Sequence, residues 1–137
     1  MSFHDKHFTI HDISRFPLVF FRGQAAVIGY AAQWAEEMNA LLERGQSYVL
    51  IYDQVSHEEG AEDRRVRGIW LKHNKAALAT VCKAMISIEP DLQRRAHASA
   101  MGKIAVRAYG IPHVAVSAIK DAVEYAELLL KGLKVNA

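Results

Sequence analysis

Apolar and polar residues alternate along Phe8-Thr9-Ile10-His11-Asp12-Ile13, which predicts a strand with one wet face. Arg15-Phe16-Pro17 interrupts any ladder there, because proline has no amide hydrogen to donate. Leu18-Val19-Phe20-Phe21-Arg22 predicts a second strand, broken by Gly23, and the two runs lie a turn apart, close enough to pair as a hairpin. The period then changes. Between Gly29 and Arg44, the residues Tyr30, Ala31, Trp34, Ala35, Met38, Leu41 and Leu42 share one helical stripe. Gln33, Glu36, Glu37, Asn39, Glu43 and Arg44 fall largely on the other side, and Gly45 stands where a left-handed residue would end the helix. Tyr48-Val49-Leu50-Ile51-Tyr52 is a continuous apolar run ahead of Asp53, as expected of a strand buried on both faces.

Gln54 to Ala61 is polar and reads as a loop at the carboxyl end of that strand. A second helix is expected from Glu62 to about Thr80, with Val66, Ile69, Trp70, His73 and Ala77 as its apolar face and Glu62 and Asp63 at its positive end. Cys82 to Ile88 predicts another strand. Pro90, placed at a first helical position, opens a third helix toward Tyr109, and Gly110 ends it. His113 to Val116 is a short strand, and Ser117 is positioned to cap a last helix striped by Ile119, Ala122, Val123, Ala126, Leu129 and Leu130. The order is β-β-α-β-α-β-α-β-α. It predicts an α/β fold with a mostly parallel four- to five-stranded sheet, four helices, right-handed crossovers and an antiparallel edge from the opening hairpin. Without an internal repeat or linker, residues 1–137 read as one domain, with the 7 N-terminal residues frayed.

Composition narrows the function classes. With 51% hydrophobic and 23% charged residues, the chain is an ordinary globular sequence. A net charge of +2 without a concentrated basic stripe argues against nucleic acid as a partner. Cys82 is the single cysteine, so no internal disulfide can form and a reducing compartment is expected. The first residues lack the apolar run of a signal peptide. No apolar stretch approaches the roughly 20 residues of a membrane span. The expected location is therefore cytoplasmic.

Three stretches carry a family resemblance: the helix ahead of Tyr48-Val49-Leu50-Ile51-Tyr52-Asp53, the run Trp70-Leu71-Lys72-His73-Asn74, and Val114-Ala115-Val116 followed by Asp121-Ala122-Val123-Glu124-Tyr125-Ala126. From Phe8 to Lys131 the chain resembles the SpoIIAA-like branch of the STAS superfamily (sulfate transporter and anti-sigma factor antagonist domains), well represented in bacteria. The resemblance implies a non-enzymatic module that binds a partner protein and needs no cofactor. Some members of the superfamily bind nucleotides or lipid-like ligands. In the anti-sigma antagonists a serine at the start of the helix after the central strand is phosphorylated to release the partner. The matching stretch here is Gly60-Ala61-Glu62-Asp63, which has no serine, and the nearest, Ser56, lies in the preceding loop. Fixed carboxylates at that place would imitate the phosphorylated charge.

Residues able to carry chemistry cluster after the central strand. Asp53, Ser56, His57, Glu58 and Glu59 occupy the loop where parallel sheets collect ligands. Asp53 and His57 would serve as an acid/base pair with Ser56 as nucleophile, but the glycine-framed G-x-S-x-G elbow is missing, and carboxylates capping the next helix account for the same residues. Arg64, Arg65, Arg67, Lys72 and Lys75, then Arg94, Arg95, Lys103 and Arg107, make two basic helix faces suited to an acidic partner or an anionic ligand. His4, His7 and His11 would align only on a helix, whereas they span a terminus and a strand, so no metal is expected. His73 on an apolar face and Cys82 at a strand start read as structural residues. The leading expectation is an unidentified protein partner bound through Asp53, Ser56, His57, Arg64 and Arg67. The second is a carrier domain for a lipid or a small anionic or apolar ligand, with an apolar cavity beside Trp34, Trp70 and Phe20, and the third a hydrolase built on Asp53, Ser56 and His57. An exposed strand edge would favour a homodimer.

Overall fold

The computed structural model describes residues 7–52 and 60–132. The elements are β1 (His11–Asp12), β2 (Leu18–Phe21), α1 (Ala31–Arg44), β3 (Tyr48–Tyr52), α2 (Ala61–Val81), β4 (Cys82–Ile88), α3 (Leu92–Tyr109), β5 (His113–Val116) and α4 (Ile119–Leu130). Five strands form one sheet in chain order, β1-β2-β3-β4-β5. β1 runs antiparallel to β2, and every later pairing is parallel. The alternation of strands and helices, the parallel sheet and its antiparallel edge are as the pattern predicts.

Register sorts the side chains into two cores, because successive residues of a strand face opposite sides. Val19, Leu50, Met85 and His113 lie in one row across β2 to β5, and Phe20, Ile51, Ile86 and Val114 in the next. Val19, Phe21, Tyr48, Leu50 and Met85 pack with Tyr30, Trp34, Met38 and Leu41 of α1 and Trp70, Leu78 and Val81 of α2. On the opposite face Leu18, Val49, Ile51, Ala84, Ile86 and Ile88 pack with Ala122 and Ala126 of α4. Two alanines one turn apart let that helix lie close on the strands. Such a division follows from sequential parallel strands, whose same-handed crossovers deliver their helices to one face. No described helix is long and apolar enough to cross a membrane.

Several local features differ from the pattern reading. β1 is only two residues long because the amides ahead of it are taken by a side chain. Glu37 accepts hydrogen bonds from Thr9 N (2.9 Å), Ile10 N (3.0 Å) and His11 N (2.8 Å), and from His11 Nδ1 (2.9 Å). Glu37, expected on the polar side of α1, stands three residues after Trp34 and four before Leu41, and so shares their buried stripe. Burial alone would raise its carboxyl, but the hydrogen bonds from His11, Thr9, Ile10 and Gln33 outweigh it and hold the group at about 2. His11 is therefore no part of a frayed end: it is buried and fixed to Glu37. Among the frayed residues expected, 1–6 lie outside the described residues, and His7 is exposed.

α2 is rotated from the face expected of it. Asp63, Trp70, Leu78 and Val81 are buried, whereas Ile69, His73 and Ala77 face outward. Pro90 precedes the first turn of α3 rather than opening it. The cap is Asp91, whose carboxylate accepts from Arg94 N at 2.9 Å. Ala118, not Ser117, occupies the cap of α4, and the Ser117 hydroxyl instead donates to Asp121. Gly45 and Gly110 end α1 and α3 with φ of 64° and 71°, the left-handed geometry foreseen for them.

Candidate functional site

Beneath α1 and α2, at the carboxyl ends of β3 and β4, lies a cavity of about 210 Å³ lined by Trp34, Tyr52, Arg67, Leu71, Met85, Ser87 and His113. Each lining residue arrives there for a traceable reason. Tyr52 ends β3, and the register sets it beside Ser87 of β4 and places Met85 beside His113, the first residue of β5. Arg67 and Leu71 are one turn apart on α2, and Trp34 comes from the buried stripe of α1.

The two helices that roof the cavity are tied together at one end by Asp63. Its carboxylate, 4% exposed, accepts from Gly29 N at 2.7 Å and Ala31 N at 3.1 Å. The N-terminus of α1 has no capping side chain of its own, so a residue from the first turn of α2 supplies that service across the gap. The hydrogen bond from Gly29 is the largest influence on Asp63 and keeps its carboxyl below the usual range.

The cavity has both polar and aromatic neighbours. Trp34 and Trp70 meet edge to face, with ring centroids 5.4 Å apart. The Trp70 indole N–H donates to Asn39 Oδ1 at 2.8 Å, whereas Trp34 Nε1 is buried with no acceptor among the described residues. Such a donor costs about 1–3 kcal/mol unless something accepts from it. The Arg67 guanidinium carbon stands 5.4 Å from the centre of the Trp34 ring, within cation–π range. Burial dominates the Tyr52 phenol and pushes it up to about 12 despite the nearby Arg67, so the hydroxyl keeps its proton and can donate. His113 Nδ1 lies 2.7 Å from the Ile111 carbonyl. A carbonyl oxygen only accepts, so Nδ1 carries the proton, leaving Nε2 of the neutral ring as an acceptor.

Of the expected contact residues, Asp53, Ser56 and His57 lie outside the described residues. Arg64 is exposed, while Arg67 turns inward to line the cavity. Of the three aromatic residues expected near a cavity, Trp34 lines it, Trp70 packs against Trp34 from behind, and Phe20 belongs to the opposite face of the sheet. Ser87 and His113 went unnoticed in the sequence because their importance depends on register. The available signal was the odd serine within the apolar run Ala84-Met85-Ile86-Ser87-Ile88.

Elsewhere, Cys82 is buried, its Sγ 3.4 Å from the Ala84 carbonyl oxygen, and burial pushes the thiol up to about 12. That is a structural cysteine, as expected. Among the described residues, no three histidine, cysteine or carboxylate side chains are grouped to hold a metal ion. No protein-family model, curated protein or solved structure matches the chain.

Proposed function

We propose that this chain is a non-enzymatic binding module whose cavity beneath Trp34 takes a small molecule. The observation that carries the reading is the cavity itself, walled by residues of both helices and of three strands. It sits at the carboxyl ends of parallel strands, where open α/β sheets hold their ligands. Its mixed lining, apolar from Trp34, Leu71 and Met85 and polar from Tyr52, Arg67 and Ser87, has the makeup of a ligand site rather than a packing fault. Its volume of about 210 Å³ falls below the ≈ 300–1,000 Å³ of sites for drug-sized ligands, so the occupant is small. A thermal-shift screen of small metabolites tests the proposal. A true ligand raises the melting temperature of the wild type and leaves Ser87→Leu unmoved, since the added side chain takes up the cavity. Hits that stabilise both proteins equally would remove the reading.

The SpoIIAA-like resemblance supports a second reading, a regulatory module that binds a protein partner. Val27 and Ile28 are 62% and 66% exposed, and Ile28 Cγ2 lies 3.7 Å from where a Gly60 side chain would begin. This apolar pair adjoins the start of α2 and its exposed Arg64, a mixed surface of the kind protein partners use. Capture of one stoichiometric protein from a bacterial extract, lost in Ile28→Ser with Arg64→Glu, would favour it. Equal capture by wild type and variant would remove it.

A further inference from the structure

The helix before β5 and the helix after it carry opposite charge, and both leave apolar side chains uncovered. α3 lies on β5 by its small residues: Gly102 is buried, and Ala98, Ser99 and Ala105 are half-buried. Its large apolar residues turn the other way, with Leu92, Met101 and Ile104 being 71%, 52% and 59% exposed. A helix with its outer face in water ordinarily has the reverse arrangement. Arg94, Lys103 and Arg107 are exposed beside them, and the helix contains no carboxylate between Leu92 and Tyr109. α4 is the converse. Ile119 and Leu128 are exposed among Asp121, Glu124 and Glu127, with Lys120 as the one cation of the helix.

The two helices stand on opposite faces of the last strand. A Cβ at Gly102 would stand 3.1 Å from His113 Cβ, in the row that faces α1 and α2, whereas Val114 and Val116 pack with the core under α4. β5 is the edge of the sheet, yet its backbone is not open to a further strand at His113. The Pro112 carbonyl accepts from Met85 N at 2.8 Å, so the next carbonyl, of His113, points away from β4. α3 packs on that carbonyl at Gly102, where a Cβ would lie 2.9 Å away, and a helix over an edge blocks strand addition. Contact with another molecule at this end of the sheet therefore falls to the helices.

We infer that the chain pairs with a second copy of itself, the basic apolar face of α3 in each copy docking on the acidic apolar face of α4 in the other. A two-fold axis running along the two β5 edges turns one sheet over against the other, so the same contact forms twice and the assembly closes as a dimer. An axis perpendicular to the sheet would instead set α3 on α3, opposing cations with no carboxylate in either helix. Like charges so juxtaposed are disfavoured, which selects the first arrangement. The charges set the orientation, and covering Leu92, Met101 and Ile104 supplies the attraction.

Sedimentation equilibrium of the full chain tests this, with circular dichroism showing that each variant is folded. The wild type at about 0.1 mM is expected at twice the 15.3 kDa chain mass. Lys103→Glu with Arg107→Glu, and separately Glu124→Lys with Glu127→Lys, should each weaken the dimer by about tenfold or more. Equimolar mixing of the two charge-reversed proteins should restore it, since the reversed positions of each then face charges of opposite sign. A monomeric wild type, or a dimer unmoved by both reversals, would overturn the proposal. Weakening by each reversal without recovery on mixing would overturn the pairing of α3 with α4. A monomeric wild type that sediments with phosphatidylglycerol vesicles and not with phosphatidylcholine vesicles would overturn the dimer and reassign α3 to an anionic lipid surface.

Discussion

Replacing Glu37 by glutamine should cost this fold several kcal/mol for the change of one atom. The carboxylate is fully buried, and its two oxygens divide the work. Oε1 accepts from His11 N at 2.8 Å and His11 Nδ1 at 2.9 Å. Oε2 accepts from Thr9 N at 2.9 Å, Ile10 N at 3.0 Å and Gln33 Nε2 at 2.9 Å. A glutamine offers one carbonyl oxygen and one NH2, so whichever way the amide is turned, its NH2 meets donors it cannot accept from. At about 1–3 kcal/mol for each buried donor left unsatisfied, two or more such donors amount to about 3–5 kcal/mol. Removal of one member of a buried charged pair costs a similar amount. For a chain of this size the melting temperature should fall by about 10–20 °C. Circular dichroism melts of Glu37→Gln beside Glu36→Gln, an exposed neighbour expected to change stability by no more than about 0.5 kcal/mol, make the comparison. A loss under about 3 °C for Glu37→Gln would show that the carboxylate does not hold the N-terminal segment on α1.

The same carboxyl predicts a pH dependence. Its value falls from an ordinary 4.5 to about 2 on folding, so its stabilisation is complete above pH 4.5 and is lost as the pH falls toward 2. The difference amounts to about 3 kcal/mol, and Glu37→Gln should flatten that part of an acid-unfolding profile. Gly102→Ala should loosen α3 from β5, because a Cβ there would stand 2.9 Å from the His113 carbonyl oxygen. About 1–3 kcal/mol of destabilisation is expected, with faster hydrogen exchange concentrated in α3, and an unchanged melt would contradict the packing. Cys82, with its thiol pushed up to about 12 by burial, should react with an aromatic disulfide reagent at least a hundredfold faster in denaturant than in buffer. Comparable rates would mean that β4 opens readily.

How much of this the chain disclosed in advance depends on the kind of information. Element type was legible wherever one period ran unbroken: α1 with its glycine stop, β3 as a continuous apolar run and α4 with its alanine stripe all stand where the pattern puts them. Facing was harder. α2 carries few large apolar residues, and its buried line includes Asp63 and half-buried Arg67 and Asn74, so an apolar count pointed to Ile69 and His73 on the outer side. Glu37 was misplaced for the same reason. Its spacing from Trp34 and Leu41 marks it as buried, while its charge argues for solvent until the amides of Thr9, Ile10 and His11 are known to converge on it. The ligand end of the sheet could be anticipated from topology, and Trp34 and Arg67 were both singled out. Tyr52, Ser87 and His113 could not be assembled with them, because their meeting depends on register between strand positions 35 and 28 residues apart in sequence, which no local pattern encodes.

The central claim is that the space under Trp34 is a binding site, and the two tryptophans provide a built-in comparison. In a nitrogen–proton correlation spectrum, the Trp34 and Trp70 indole N–H signals report on groups whose rings are 5.4 Å apart. The Trp70 indole donates to Asn39, while that of Trp34 has no acceptor among the described residues. Titrating a hit from the thermal-shift screen should move the Trp34 indole signal saturably, with a much smaller response from Trp70, and Ser87→Leu should abolish the movement. A Trp34 signal that stays fixed through the titration, or moves equally in Ser87→Leu, would contradict the account.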